Sequence, residues 1–534
     1  LVNINKDSDE FKKILWRKKC MQLHVNEVAF RGKTDLPFEV KKLRTPIEFF
    51  SYFFTDDLFD LISLETNRAA ITDSVNTRFK TDKHEIRRYI GILIFMSLSR
   101  YPNMEAHWGK YGFRQIPDAM PKNKFEQIKK YLSFNNESER VKKGEPGYDP
   151  IFRIRKVATH LNERFDSIPK NARLCVDEQM CSTKMVHHLR QYLPDKPHPW
   201  GVKFFVLCDT NGYSYRFEIY TGAKNDDIIL AGTPNIGATG NVVIRLSQTV
   251  PNFQNHIIYF DNFYTSLPLM VYLRARGIYS LGTVRANRIP NSKLPTDKSE
   301  EVKKAERGYS TEYIGSAYGV EITTVLWKDT KNVKLCSTYV GTNPFKRSNP
   351  VTQPAKVPRY NRKEKSYIDV DCPAIIREYN AHMGGVDLMD SYMGRNGLQI
   401  KTQDMATRIF YHLLDMAITN GFILYRRANG EKNREAEDED MKIKDMTMYA
   451  FRSSIAEELC ASVEKRPVGR PPSAGRPPSA GRPPSAGRPP SAGRPSSASS
   501  QPSTSTIGKN AIHPLESIRY DEMNHFPEWG TKKS

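Results

Sequence analysis

The sequence has no long hydrophobic run. Its longest apolar stretch, residues 89–96, covers eight residues and includes a glycine, whereas a helix needs about 20 apolar residues to cross a bilayer. The first residues also lack the charged and then apolar pattern of a secretory signal. We therefore expect neither a membrane span nor secretion. The first residue is Leu1 rather than Met, which leaves a truncated N-terminus open.

Cysteine is sparse, and closely paired cysteines are missing. The chain has seven scattered cysteines, and no two of them form a CxxC motif. An odd number without a secretory signal favours reduced, intracellular thiols over a disulfide framework. After Cys460 the chain has no cysteine and only two histidines, His513 and His525. No structural zinc site is therefore expected there.

Acidic residues are outnumbered by basic ones. The chain has 81 Lys and Arg against 60 Asp and Glu, a formal net charge of +21 and a pI near 9.4. Such an excess favours a polyanionic partner, because neutralising phosphates releases their counterions. A generally basic protein would show the same excess. The 534 residues are enough for several domains and a sizeable core.

Three short segments place aspartates where a metal-dependent enzyme needs them. They are LCVDE at 174–178, IIYFDN at 257–262 and GGVDLMD at 384–390. In the first two, an apolar run that favours β-structure ends on Asp177 and on Asp261, which predicts buried strands with a carboxylate at the tip. The third follows a Gly-Gly turn and opens an apolar-periodic stretch, so Asp387 and Asp390 are expected on one face of a helix.

Carboxylate oxygens suit Mg²⁺, and two such ions can activate water and stabilise a leaving 3′ oxygen in phosphodiester chemistry. Glu178 should face away from Asp177 and share no metal with it, because successive strand residues alternate. Each aspartate taken singly has an ordinary structural explanation, since Asp is common in turns and caps. Asp261, for example, could cap a helix expected over residues 266–274.

The order of elements between the acids favours a shared site over separate structural roles. A hairpin is expected around the Asn-Gly turn at 211–212. A helix near 240–249, the strand ending on Asp261, a further helix and a strand at 278–284 follow. With the insertion and the acidic helix after them, these elements match the order of the ribonuclease H-like α/β fold. Its first and fourth strands lie side by side, so Asp177 and Asp261 should meet.

Over about residues 40–425 the chain resembles the transposase domain of the piggyBac family. The matching stretches are CVDE at 175–178, KP at 196–197 with GVK at 201–203, DNFYTS at 261–266, GTVRANR at 282–288, and YN through GGVD at 379–387. The resemblance implies a DDE/D transposase with a ribonuclease H-like core. It identifies Asp177, Asp261 and Asp387 as the catalytic metal ligands and Asp390 as an additional acid.

The same resemblance implies an activity and its partners. The activity is cut-and-paste transposition, with hydrolytic nicking at element ends, hairpin formation by the freed 3′-OH and strand transfer at TTAA targets. The implied cofactor is Mg²⁺ or Mn²⁺, as two ions. The implied partner is double-stranded DNA, both element ends and target, bound by a homodimer in the nucleus.

The catalytic core is expected in two parts, residues 173–288 and 374–400, separated by a β-rich insertion at 289–373. Arg285 and Arg288 follow the last strand of the first part, close to the expected position of the scissile phosphate. The planar guanidinium suits phosphate, so we interpret this pair as DNA-binding. An ordinary surface basic pair is an equally weighted alternative.

Helical periodicity flanks the core on both sides, at residues 41–172 and 401–460. By resemblance, these helices form one dimerisation and DNA-binding domain that is discontinuous in sequence. Residues 1–40 are expected to be a partly disordered N-terminal segment.

Residues 461–534 are expected to be a disordered tail, because its Pro-rich hexad repeat cannot bury a core. The repeat unit is Gly-Arg-Pro, and its arginines are Arg470, Arg476, Arg482, Arg488 and Arg494. Gly-Arg-Pro is also the centre of the AT-hook, whose arginine enters a narrow A·T minor groove. A full hook has a second arginine before the glycine, where this chain has Val468 or alanine. We favour a charged spacer over a minor-groove reader, although five linked arginines would gain by avidity.

Two functions stay open at this point. The set of four acids favours an active nuclease and strand transferase. Many piggyBac transposases end in a Cys/His-rich zinc module that binds element ends, and its lack here favours a domesticated DNA-binding protein that no longer transposes. A generic ribonuclease H-like nuclease is a remote third function, disfavoured by the piggyBac-specific stretches.

Overall fold

A mixed sheet lies at the centre of the computed structural model, which describes residues 4–194, 196–222, 228–346, 355–362, 364–435 and 442–461. Among these residues the sheet has nine strands: β1 (Arg173–Ser182), β2 (Arg190–Tyr192), β3 (Trp200–Asp209), β4 (Ser214–Ile219), β5 (Ile257–Phe260), β6 (Tyr279–Thr283), β7 (Ser310–Ala317), β8 (Val320–Lys328) and β9 (Asn332–Ser337). Their order is β2-β3-β1-β5-β6-β9-β8-β7, and β4 pairs with β3. A separate sheet pairs β10 (Lys356–Asn361) with β11 (Ser366–Asp371).

The strands β1, β5 and β6 run parallel and lie side by side. All four residues of β5 are buried, because a parallel strand with both faces covered contacts protein on each side. β5 therefore lies next to β1, as the predicted ribonuclease H-like order requires. The predicted α/β fold is confirmed.

Asp177 is not at the tip of its strand, in contrast to the sequence-based prediction. β1 continues past it to Ser182, because the antiparallel partner β3 pairs with β1 as far as Ser182 and Gly201. The parallel pairing with β5 does end near the acid, at Val176 and Phe260. Asp177 thus lies just past the end of the pairing with β5, where the pairing with β3 continues.

Local sequence signals position the connections around the core strands. Gly212 takes a φ of +86° in the turn between β3 and β4, a conformation that glycine adopts without steric cost. Ser266 caps the helix Leu267–Ala275, and its hydroxyl accepts from the backbone N–H of Leu269 at 3.4 Å. Both elements occur where the sequence predicts them.

Helices pack against the core sheet and against one another. The longer ones are Pro46–Phe53, Asp56–Asp73, Lys83–Leu98, Lys122–Tyr131, Phe152–Asp166, Ala238–Leu246, Leu267–Ala275, Ala374–His382, Gly385–Arg395, Met405–Glu435 and Met448–Ala461. The shorter ones are Asp9–Lys12, Val25–Val28, Phe38–Lys42, Gln115–Ala119 and Glu300–Lys304, with 3-10 turns at Glu105–Trp108, Glu137–Glu139 and Ala286–Arg288.

Helices before and after the core pack together, although they are far apart in sequence. The long helix Met405–Glu435 contacts Pro46–Phe53, and Met448–Ala461 contacts Lys83–Leu98. A buried ion pair joins the two C-terminal helices, with a guanidinium nitrogen of Arg452 at 2.6 Å from Oδ1 of Asp415. The helical layer is therefore discontinuous in sequence and continuous in space.

Most of the β-rich insertion extends the core sheet, although its strands β10 and β11 form the separate two-stranded sheet. β9 pairs antiparallel with β6, so β7, β8 and β9 continue the catalytic sheet. The N-terminal segment lies against this extension, where Arg17 bridges to Ile314 on β7. The carboxylate of Glu312 also accepts from the backbone N–H of Met21 at 2.7 Å.

All seven cysteines are free, and only Cys20 is exposed. Among the described helices, none combines the length and the apolar character needed to span a membrane.

Candidate active site

Two of the predicted acids lie side by side where the pairing of β1 with β5 ends. The β1–β5 register pairs Val176 with Phe260, and Asp177 and Asp261 are the next residues along. Burial raises the pKa of Asp177 to about 7. Burial also raises the pKa of Asp261, and the charge of Asp177 adds to that effect. One carboxylate raises the pKa of another only at short range, so Asp177 and Asp261 together favour a bound cation.

The helix Gly385–Arg395 carries the other two acids and packs on β1 and β3. A Cβ added to Gly385 would lie 2.1 Å from the carbonyl oxygen of Asp209 and 2.7 Å from Sγ of Cys175. A Cβ added to Gly384 would meet nothing within 4 Å. The second glycine of the pair is therefore the one that the close approach of the helix requires.

Asp387 and Asp390 differ in their surroundings. The Asp387 side chain is 73% exposed, whereas Oδ1 of Asp390 accepts a 2.7 Å hydrogen bond from Nε2 of Gln179. Burial raises the pKa of Asp390 to about 6. The charges of Asp387 and Asp177 also raise that pKa, and the Gln179 hydrogen bond opposes them. Asp390 is thus electrostatically linked to Asp387 on its own helix and to Asp177 on β1.

Gln179 is itself held by the long helix Met405–Glu435. Nε2 of His412 lies 2.9 Å from Oε1 of Gln179, and both residues are buried. An amide oxygen only accepts, so the imidazole nitrogen donates. Burial lowers the pKa of His412 to about 3, so the ring is neutral. Sequence analysis missed both residues, although Gln179 follows Asp177 by two positions and so lies on the same side of β1.

Lys196 is a further residue of this site that sequence analysis quoted only as part of a motif. Its Nζ lies 4.0 Å from Oδ1 of Asp387. Its charge also lowers the pKa of Asp177 and of Asp390, against the larger effect of burial. Lys196 therefore places a positive charge beside three of the four acids.

The two predicted DNA-binding arginines hold the loop after Asp261. Arg288 donates from one guanidinium nitrogen to the carbonyl oxygens of Asn262 at 2.7 Å and Phe263 at 2.8 Å. Arg285 is exposed, and its Nε donates to Oδ1 of Asn262 at 2.9 Å. Arg285 also lowers the pKa of Asp261, although burial outweighs it. Arg288 is thus engaged with backbone, whereas Arg285 lies near an acid and faces solvent.

Glu178 does not face away from Asp177 as strand alternation predicts. Burial is the largest cause of the raised pKa of Asp177, and a hydrogen bond between the Asp177 and Glu178 side chains comes next. Oδ1 of Asp177 also accepts from the backbone N–H of Glu178 at 2.8 Å. The aspartate side chain therefore turns toward its neighbour. Glu178 borders the group of Asp177, Asp261, Asp387 and Asp390, which we call the acidic cluster.

The four aspartates fit a hard divalent cation by their chemistry. In the described part of the chain, no three His, Cys, Asp or Glu side chains are already arranged as a metal site. The donors are nevertheless all carboxylates, which Mg²⁺ and Mn²⁺ accept. Burial raises the pKa of Asp177, Asp261 and Asp390, and the charge of Asp177 adds to the effect on the other two, so a bound cation would relieve that repulsion. These three residues and Asp387 would hold the metal.

The Gly-Arg-Pro repeat lies outside the described residues. Its interpretation as a charged spacer or a minor-groove reader therefore stays a prediction.

Known proteins resemble the chain over most of its length. A family model described as Transposase IS4 matches residues 45–422. PiggyBac transposable element-derived protein 2 of Homo sapiens is 26% identical over 390 residues, which cover 72% of this chain and 62% of that protein. PiggyBac transposable element-derived protein 3 of Homo sapiens is 25% identical over 421 residues, which cover 78% and 67%. The match thus spans less than two thirds of the first relative.

A solved structure shares the fold. It is the cryo-EM structure of a piggyBac transposase synaptic complex with hairpin DNA, matched at a TM-score of 0.64 and 20% sequence identity. The match covers 81% of this chain and 83% of that chain.

Proposed function

This chain belongs to the piggyBac family of transposases, and we propose that it cuts DNA at element ends and joins the freed ends to a target, using divalent metal ions. The charge of Asp177 raises the pKa of both Asp261 and Asp390, and this convergence of acids from three segments carries the proposal. Asp387 lies one helical turn from Asp390. Turn and cap roles would not bring acids from three distant segments together, whereas metal binding requires it.

Bound Mg²⁺ or Mn²⁺, two ions by family resemblance, would activate water and stabilise the leaving 3′ oxygen. The chain's own residues prepare the site. Asp177 on β1 and Asp261, which directly follows β5, are positioned by the pairing of these two adjacent strands. Gln179 orients the carboxylate of Asp390. Lys196 supplies a positive charge at the mouth of the site, where it would attract a DNA phosphate.

The proposal also includes cut-and-paste movement between TTAA targets, a homodimer that binds element ends and target as duplex DNA, and action in the nucleus. Family membership supports them, and the net charge of +21 supports the DNA partner.

The test is a cleavage assay with the purified full chain and DNA that carries the inverted repeats flanking its gene. We expect nicking only with Mg²⁺ or Mn²⁺. Asp177→Ala, Asp261→Ala and Asp387→Ala should each abolish nicking but leave DNA binding intact, because each removes a metal ligand. Asp118→Ala is the matched control, since Asp118 is exposed in a separate helix. Normal nicking by any of the three variants would refute that residue's role.

The second candidate function is a domesticated DNA-binding protein. The two human relatives are both named as transposable element-derived proteins, which favours this possibility. The same assay separates the two functions. Binding to the repeats without nicking, at any Mg²⁺ or Mn²⁺ concentration, would establish the domesticated protein.

A further inference from the structure

An exposed aromatic pair lies on the edge of the catalytic sheet. Tyr192 on β2 is 54% exposed and Trp200 on β3 is 44% exposed. The two residues are directly opposite each other in the antiparallel register, and their ring centroids are 4.8 Å apart. Because β2 is the last strand at this end of the sheet, no described strand extends the sheet beyond it. Large rings left in water at a sheet edge indicate a surface that a partner covers.

A cation completes the row of rings. The guanidinium carbon of Arg190 lies 4.2 Å from the centroid of the Trp200 ring. Arg190 and Tyr192 are two residues apart on β2 and therefore share a face. Arg190, Trp200 and Tyr192 thus form a ladder of one planar cation and two rings, which we call the edge ladder.

The edge ladder belongs to the hairpin that reaches the acidic cluster. The backbone N–H of Leu193 donates to the carbonyl oxygen of Pro199 at 2.8 Å, which closes the hairpin. Lys196 lies in the enclosed loop, with its Nζ 4.0 Å from Oδ1 of Asp387. A nucleic acid strand whose phosphate lies beside Lys196 would therefore pass next to Trp200, four residues along the same hairpin.

We propose that the edge ladder is a stacking platform for unpaired DNA bases beside the cleavage site, an inference that rests on the proposed function. Aromatic rings and arginine bind unpaired bases by stacking. Paired bases inside a duplex have no free faces, so a ladder of this kind selects single-stranded or flipped bases. The cations Lys196 and Arg190 favour a polyanionic occupant over a protein surface.

The test compares two DNA probes that bind the full chain without Mg²⁺ or Mn²⁺. One is a fully paired duplex of the flanking repeat, and the other is the same duplex with a short single-stranded extension. We expect tighter binding to the extended probe. Trp200→Leu should remove roughly tenfold of affinity for the extended probe and leave duplex affinity unchanged. Trp200→Phe should keep most of the preference, because a ring is retained.

The matched control is a second exposed cross-strand pair, Tyr360 and Tyr367 on β10 and β11, whose ring centroids are 5.5 Å apart. Tyr367→Leu should leave the affinity for both probes unchanged. Fluorescence gives an independent readout. The extended probe should quench tryptophan emission in the native chain, and this quenching should be much weaker in Trp200→Phe.

Four outcomes would overturn the inference. The platform is wrong if the native chain binds both probes equally, or if Trp200→Leu keeps the preference. A changed oligomeric state in Trp200→Leu with unchanged probe affinity would identify the ladder as a contact between copies of this chain. Absence of all DNA binding by the native chain would refute the proposed function as well, whereas duplex binding and normal nicking without a preference for the extended probe would refute the platform alone.

Discussion

The side-chain amide of Gln179 donates a 2.7 Å hydrogen bond to Oδ1 of Asp390, although the two residues are 211 positions apart. On its other side, Gln179 accepts from the neutral imidazole of His412 at 2.9 Å. The long helix Met405–Glu435 is thus connected to the carboxylate of Asp390 through the buried side-chain amide of Gln179. Partners of this kind orient metal ligands and support metal affinity.

Gln179→Leu and Gln179→Glu should weaken metal binding. The first leaves Asp390 without its donor, and the second places a like charge beside it. We expect the Mg²⁺ concentration for half-maximal nicking to rise by about tenfold or more. His412→Phe should act in the same direction through the loss of the donor to Gln179. An unchanged Mg²⁺ requirement in all three variants would show that the hydrogen bonds are only structural.

Gly385→Ala should displace the acidic helix, whereas Gly384→Ala should be tolerated. The first substitution forces a Cβ to 2.1 Å from a carbonyl oxygen of β3, and the second meets nothing within 4 Å. We expect Gly385→Ala to lower the free energy of unfolding by about 1–3 kcal/mol and to reduce nicking. Denaturant unfolding and the nicking assay measure both effects. Equal behaviour of the two variants would contradict the close approach described above.

The acidic cluster should make metal-free stability depend on pH. Folding raises the pKa of Asp177 to about 7 and that of Asp390 to about 6, so the folded chain holds protons that the unfolded chain releases near pH 4. The stabilisation is present below about pH 4 and is lost as the pH rises through 6 to 7. Asp177→Asn should therefore flatten the fall in Tm between pH 5 and pH 8 in the presence of a chelator.

Metal should compete with those protons. Mn²⁺ needs the ionised carboxylates, so we expect it to raise the Tm clearly at pH 7.5 and much less at pH 5.5. The shift should vanish in Asp177→Asn. A Tm shift that is equal at both pH values, or that persists in Asp177→Asn, would place the Mn²⁺ elsewhere.

We expect Arg285 to act in DNA handling and Arg288 to stabilise the fold. Arg288 donates to the backbone of the loop after Asp261, so Arg288→Ala should lower the free energy of unfolding by about 2 kcal/mol. Arg285 is exposed, so Arg285→Ala should weaken strand transfer or DNA binding and leave the Tm nearly unchanged. Lower stability with normal DNA handling in Arg285→Ala would make that residue structural and our DNA path wrong.

The tail can be tested as a peptide of residues 461–500. A minor-groove reader would bind A·T-rich duplex better than G·C-rich duplex, and replacement of its five repeat arginines with lysine would erase that preference. We expect no preference at moderate salt, because each unit has a single arginine anchor and docking costs ordering entropy. Clear A·T selectivity of the native peptide would make the tail a groove reader rather than a charged spacer.

The sequence by itself determined the features that depend on neighbouring residues. Apolar runs predicted β5 and β6, the Asn-Gly pair predicted the β3–β4 hairpin, and Ser266 marked the start of its helix. The four acids were also visible, because their spacing relative to these elements follows a known order. Periodicity and capping act within a few residues, so they can be read along the chain.

Only the tertiary structure decided which distant residues share the site. The hydrogen bond from Gln179 to Asp390, the ammonium of Lys196 beside Asp387, and the packing that requires Gly385 but not Gly384 each join segments far apart in sequence. Strand alternation also failed to predict that the Asp177 side chain turns toward Glu178. It does so because its Oδ1 accepts a hydrogen bond from the backbone N–H of Glu178. Such contacts depend on how helices and strands pack, and packing is set by the shape and burial of many side chains together.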